Sequence, residues 1–309
     1  MRRLRALALL LMLGASGGIH IAFSKLLGAE TVAEALSYLS IYMAATSLTL
    51  LAAAQVRGAP GWRFSAVPVL VITGGFAYFA PLLIEILIAP RIDAALFAMV
   101  EGLEPAMATA LAAAIALERA TRRRLSAVAF AVLAGVLMYA PQATLPDSSG
   151  ALWLAAAFLA PACYSIANVY LAANWPEGMS VLAVSAGEAF LGFLLGLIVA
   201  LAAGVDGGML VTAVQTKGVW LTALTAVSVV NAFLAVYLLR TESVVFVSFG
   251  GIIALATGVV AGMTIFAEQP TLLFWIACAL TAASLWLLSE PETPETDPEA
   301  DRPRAAPDP

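Results

Sequence analysis

Histidine occurs once in this chain of 309 residues, at His20, and cysteine twice, at Cys163 and Cys278. A single imidazole excludes histidine-rich metal sites, and no HExxH, CxxC or phosphate-cradling Walker loop is present. Neither a metal centre nor a cofactor is expected, and enzymatic chemistry has little to stand on. Both cysteines lie in apolar runs and read as small buried or lipid-facing hydrophobes, which leaves no disulfide framework. Charge is scarce too. Asp, Glu, Lys and Arg make up 11% of the residues, where a soluble domain carries roughly a quarter. Basic residues outside the short turns are too few for a nucleic-acid surface.

What fills the chain instead is apolar: 62% hydrophobic residues and a mean hydropathy of +0.96. The plan is plainest in 93–139, where two apolar runs flank a turn carrying Arg119, Arg122, Arg123 and Arg124. As a helix at about 1.5 Å per residue, 93–117 would extend about 37 Å, enough to cross a hydrocarbon core of about 30 Å with some tilt. The fold class implied is an all-α integral membrane protein, with the lipid bilayer as its first partner.

The net charge of −5 belongs to the end of the chain. Residues 290–309 hold seven acidic residues against Arg302 and Arg304, and the remaining 289 residues balance. The same tail has six of the sixteen prolines and no aromatic residue, so it is expected to be a disordered acidic extension.

Breaks in the apolar pattern mark ten spans: about 6–27, 34–54, 66–89, 93–117, 125–139, 150–173, 180–203, 218–239, 243–266 and 271–288. The first resembles a signal peptide but its apolar stretch is too long, and it is read as a retained span. Ten spans place both termini on one side. Arg2, Arg3, Arg5, Arg57, Arg63, Arg119, Arg122, Arg123, Arg124 and Arg240 fall on that side, against Lys25, Arg91 and Lys217 on the other. By the positive-inside rule the termini are cytoplasmic.

The chain divides at 141–149 into a first half, 1–140, and a second, 150–289, of five spans each. An odd count per half means that the halves enter the membrane from opposite sides, as in an inverted repeat. The glycine-to-lysine stretch Gly17–Lys25, Pro105 within span 4, Glu118 at its end and Glu268 at the end of span 9 resemble the EamA-like group of the drug/metabolite transporter superfamily. The likeness covers nearly all of 6–288, with Gly17–Gly18 standing where that group usually has tryptophan and glycine. It implies ten helices as two inverted five-helix repeats around a central cavity, alternating access, and export of amino acids or other metabolites, with Glu118 and Glu268 at family helix-end positions.

A charge within the bilayer core is costly unless it faces protein or water, so intramembrane ionisable residues are the candidates for a substrate or proton pathway. Glu101 and Glu104 lie near the middle of span 4, one turn apart, with Pro105 able to kink the helix beside them. His20 lies at similar depth in span 1 and suits either proton exchange or helix packing. Lys25 can snorkel from the end of its span or turn inward. Glu188 is the one charged residue of span 7; Asn168 and Asn231 join it as a polar set that also suits helix–helix hydrogen bonding. Tyr42 and Tyr78, with Tyr38, Tyr139, Tyr164 and Tyr170, offer rings for stacking a solute or for packing. Glu85 and Arg91, six residues apart, read as an ion pair at the rim, and Gly192/Gly196 and Gly258/Gly262 as close helix contacts.

The function expected is a secondary transporter, monomeric or homodimeric, exporting amino acids or other small polar metabolites across the cytoplasmic membrane, with proton coupling open to its carboxylates and histidine. Uptake of a vitamin or other metabolite, and a non-transporting scaffold or sensor, are the alternatives.

Overall fold

The computed structural model describes residues 2–58, 63–115, 121–143, 149–242 and 244–289. Glu118, Arg119, most of the 141–149 connection and the acidic tail therefore lie outside the described residues. Within them, all regular structure is helical. Helices α1 (Arg2–Leu27) and α2 (Val32–Val56) are unbroken. A third segment begins with a 3₁₀ turn, continues as α3 (Val67–Gly74), loosens into a π turn at Gly75–Phe79 and resumes as α4 (Ala80–Ile88). The fourth is broken between α5 (Ala94–Glu101) and α6 (Glu104–Ala114). Then come α7 (Arg122–Ala143), a broken pair α8 (Ser149–Ala157) and α9 (Leu159–Ala173), α10 (Val181–Ala202), α11 (Gly207–Thr241), α12 (Val244–Ile265) and α13 (Leu272–Ser289).

Among the described residues, seven segments are long and apolar enough to cross a membrane: 4–27, 32–56, 64–88, 94–114, 150–173, 181–202 and 207–241. The described apolar stretches of α12 and α13, Gly250–Ile265 and Leu272–Leu288, are shorter. Large aliphatic side chains stand on the outside, among them Leu48, Val132, Ile198, Val219 and Val260. Water would make such a surface an aggregation hazard, whereas hydrocarbon makes it neutral.

Local chemistry sets the helix ends. Thr31 caps α2 through a reciprocal box, its hydroxyl accepting from the Glu34 N–H at 3.2 Å while Glu34 Oε2 accepts from Thr31 N–H at 3.3 Å. Thr31→Ala should lower stability by about 1 kcal/mol in a detergent melt, and an unchanged melt would show that the box adds nothing. Ser180 and Asp206 cap α10 and α11 in the same way, through Ala183 N–H and Met209 N–H. Asp206 starts α11 eleven residues ahead of the expected 218, because the cap outweighs the polar residues Gln215, Thr216 and Lys217 that read as a loop. Along the spans, Ser and Thr hydroxyls fold back onto carbonyls four residues earlier, as in Thr49 to Ala45 at 2.7 Å and Thr225 to Leu221 at 2.8 Å. The donors that fold back are thereby satisfied without water.

Packing joins distant parts of the chain. α1 lies against α12 and α11, α2 against α10 and α11, α5 against α12, α6 against α9, and α7 against α13, while α3 and α4 pack on α9 and α10. Two of these contacts are backbone-close. A Cβ on Gly18 would stand 2.5 Å from Ala254 O and 2.6 Å from Gly258 N, and one on Gly74 would stand 2.6 Å from Glu188 O. The expected close approaches at Gly192, Gly196 and Gly258 are present, against Gly74, Phe79 and Ala98 respectively.

Candidate functional site

The ends of the bundle are distinguished by their ionic contacts. At one, Lys25 Nζ meets Glu268 Oε1 at 2.7 Å and donates to the Ile92 carbonyl at 2.8 Å. Glu268 also accepts from the N–H groups of Ala94 (2.7 Å) and Ala95 (3.0 Å), so a residue 174 positions from Ala94 caps α5. Ala267, at φ 53°, takes the left-handed position that ends α12, with Glu268 N–H returning to Gly262 O. That turn delivers Glu268 to its partners at the expense of backbone strain. Ala267→Gly should raise stability by up to about 1 kcal/mol, and a lower melting temperature would contradict the strain. Burial lifts the Asp93 carboxyl above its usual range, the Glu268 carboxylate adds to the lift and Lys25 opposes it. Lys217 donates to Leu26 O nearby.

Arg91 also lies at this end, but the expected pairing with Glu85 does not form. Its guanidinium binds the carbonyls of Leu87, Ala29 and Glu30 and covers the Trp153 ring. Those carbonyls are orphaned at the ends of α4 and α1, and a five-donor fork serves several of them at once. At the other end, Arg63 lies against Gly178 and Arg240 covers Trp175.

Between the ends is a cavity of about 230 Å³. Its walls reach from His20, Tyr42 and Glu85 in mid-bundle to Leu13, Leu171 and Leu239 toward the Arg240 end. Among the described residues its lining stops at His20 on α1, Glu85 on α4 and Ser228 on α11 in the direction of Lys25, so the cavity stops short of that end. Glu101, Glu104, Glu188, Tyr42, Tyr78, Asn168 and Asn231 all lie on its wall with His20. Lys25 and Glu268 do not, and serve the end that the cavity does not reach.

The broken helices place these side chains. Pro105 has no N–H to give and sits in the first turn of α6, where none is needed. Span 4 therefore does not merely kink: α5 ends at Glu101, a turn at Gly102 and Leu103 intervenes, and α6 begins at Glu104. The two carboxylates flank the break. Glu104 accepts from Asn168 Nδ2 at 3.0 Å, and its backbone carbonyl accepts from Ser165 Oγ at 3.1 Å. Glu101 Oε1 is buried and has no hydrogen-bond partner. The π turn at Gly75–Phe79 likewise puts Ala77 and Tyr78 on the wall, a use of π geometry common at functional sites.

His20 is held from both ring nitrogens, Nδ1 at 2.7 Å from Glu85 Oε1 and Nε2 at 3.1 Å from Ser228 Oγ. With Glu85 ionised, Nδ1 carries a proton, and Nε2 accepts from Ser228 in the neutral ring or donates to it in the imidazolium. Asn231 donates to Ser16 at 3.0 Å, tying α11 to α1. Sequence reasoning passed over Ser228 and Thr46 and put Glu85 at the rim with Arg91, not on the cavity wall. Glu85 carried a usable signal, being the one acidic residue of span 3, but Arg91 nearby in sequence offered a simpler partner.

No protein-family model matches this chain, and no curated protein matches it. Among solved structures it is similar to one described only as "Crystal structure of protein", with a TM-score of 0.59 at 14% identity over 90% of this chain and 95% of that one. That likeness is of fold alone.

Proposed function

We propose that this protein is a secondary transporter that carries a small polar metabolite across the cytoplasmic membrane, outward as the resemblance to EamA-like permeases implies. The observation that carries the reading is the mid-bundle cavity, walled by ionisable side chains beside helix breaks, reaching toward the Arg240 end and stopping short of the Lys25 end. A scaffold has no use for buried carboxylates around an empty volume, and their cost in a bilayer is several kcal/mol each. In this reading, α7, α12 and α13 complete ten spans in two inverted repeats. Packing supports it: exchanging each segment with the one five further on turns the α1–α12 contact into α6–α9 and the α2–α11 contact into α10–α3. The same exchange leaves α2–α10, α5–α12 and α7–α13 in place. Charge supports both termini being cytoplasmic, which makes the cavity inward-facing and the Lys25–Glu268 pair part of the outer seal.

Purified protein in proteoliposomes should release compounds from a preloaded pool of small metabolites, and Ala77→Phe, which fills the cavity, should abolish release while melting normally. Intact protein that moves nothing from such a pool in either direction would count against transport. Proton coupling through the group His20, Glu85, Glu101, Glu104 and Glu188 has its own test. Glu101→Gln or Glu104→Gln should lose gradient-driven accumulation yet keep downhill exchange, and unaltered accumulation in both would remove these two from coupling.

A further inference from the structure

The cavity's charge is one-sided. Among the described residues no lysine or arginine lines it, whereas Glu85, Glu101, Glu104 and Glu188 do. The cations nearest in sequence to the wall are engaged elsewhere, Arg240 over the Trp175 ring, Lys25 on Glu268 and Arg91 on three carbonyls. Only Glu85 has a potential counter-charge, His20. A solute bearing a carboxylate or phosphate would thus enter with no lysine or arginine to meet it, and the one imidazole is already held by Glu85. The two wall amides each commit one N–H donor, Asn168 to Glu104 and Asn231 to Ser16, and neither carries a charge.

Unused capacity points the same way. Three polar atoms on this wall are buried without a hydrogen-bond partner: Glu101 Oε1, Tyr42 Oη and Thr46 Oγ1. Tyr42 is 1% exposed and Thr46 2%, and they lie one turn apart on the same face of α2. All three oxygens can accept, and a primary ammonium brings three donors. The same wall carries Tyr42, Tyr78 and Tyr164, and aromatic rings attract a cation as well as an apolar body. The remaining wall is small and apolar, with Gly14, Gly17, Ala77, Ala167 and Ala254. At about 230 Å³ the cavity lies below the range of roughly 300–1,000 Å³ that suits drug-sized ligands.

We infer that the solute is a small protonated amine with an apolar or aromatic body, and not an amino acid or an organic acid. This rests on the transport reading above and narrows its substrate. The amine seats against Glu101 and the hydroxyls of Tyr42 and Thr46, and its body lies among the tyrosine rings.

The test uses the full-length protein and matched probes: phenethylamine, phenylalanine, 3-phenylpropionate and 2-phenylethanol, which share a ring, with pentylamine and pentanoate as an aliphatic pair. Binding is measured by calorimetry in detergent, and flux by mass spectrometry in proteoliposomes. An amine should bind at least tenfold more tightly than its zwitterionic or neutral counterpart, and the carboxylates should not bind measurably. Glu101→Gln should weaken the amine about tenfold, and Tyr42→Phe, which keeps the ring, should weaken it severalfold even if the glutamine variant fails to fold. Phenylalanine or a carboxylate binding as tightly as the amine, or none of the six binding, would overturn the inference. An amine that binds but does not cross would leave the cation site standing and bring down the transport reading. Flux that favours the zwitterion would do the reverse.

Discussion

Glu268→Ala should remove about 3–5 kcal/mol of stability, the range seen when one partner of a buried ion pair is deleted. The effect is large because one carboxylate serves three groups. It faces Lys25 Nζ at 2.7 Å, accepts from two N–H groups at the start of α5, and lies where α12 turns toward α13. Its side chain is 6% exposed and that of Lys25 17%, so water reaches neither freely. Alanine would leave an ammonium and two backbone donors without their acceptor. Glu268→Gln keeps an oxygen for the N–H groups and should cost less, and adding Lys25→Met to it should recover part of the loss, because the stranded charge goes too. Unfolding of the two single variants and the double variant in detergent gives the coupling directly. A loss under about 1 kcal/mol for Glu268→Ala would mean that this end is hydrated and its seal weak.

Gly18→Ala should cost about 1–3 kcal/mol, with the upper end more apt, whereas its neighbour Gly17→Ala should be neutral or gain up to about 1 kcal/mol from helix propensity. The contrast follows from what each new methyl group meets. At Gly18 it meets two backbone atoms of α12, at 2.5 and 2.6 Å, and neither can rotate aside. At Gly17 the nearest atom is Ala254 Cβ at 3.4 Å, an ordinary contact. Relief at Gly18 requires α1 and α12 to separate along a long interface. Because Gly17 lines the cavity, its alanine variant should alter solute affinity more than stability. Equal melting temperatures for the two variants would show that α1 and α12 are less closely seated.

The difference between what the sequence discloses and what it hides is physical. Hydrocarbon tolerates few polar groups, so segment positions follow from hydropathy, and Glu101, Glu104, Glu188 and His20 stand out as expensive where they are. All four lie on the cavity wall. Partnerships are not legible in the same way. Glu85 was matched with Arg91, six residues on, yet its partner is His20, 65 residues back, because helix packing brings α1 and α4 together. Lys25 read as a snorkelling or inward residue; its role as clamp on Glu268 depends on a cap supplied from the far end of the chain. Pro105 announced a disturbance in span 4, but a full break also needed Gly102 and Leu103 to form a turn. Position in the bilayer is written locally, and contact is written in the packing.

In the proposed function a solute passes through the mid-bundle cavity. The most direct test of that passage places a single cysteine at Ala235, on the wall toward the Arg240 end, with Cys163 and Cys278 replaced by serine. A membrane-impermeant thiol reagent applied from the side of the termini should modify it, transported solute should slow the modification, and the modified protein should lose flux in proteoliposomes. A cysteine that reacts at the same rate with and without every transported compound, and whose modification leaves flux intact, would contradict the account.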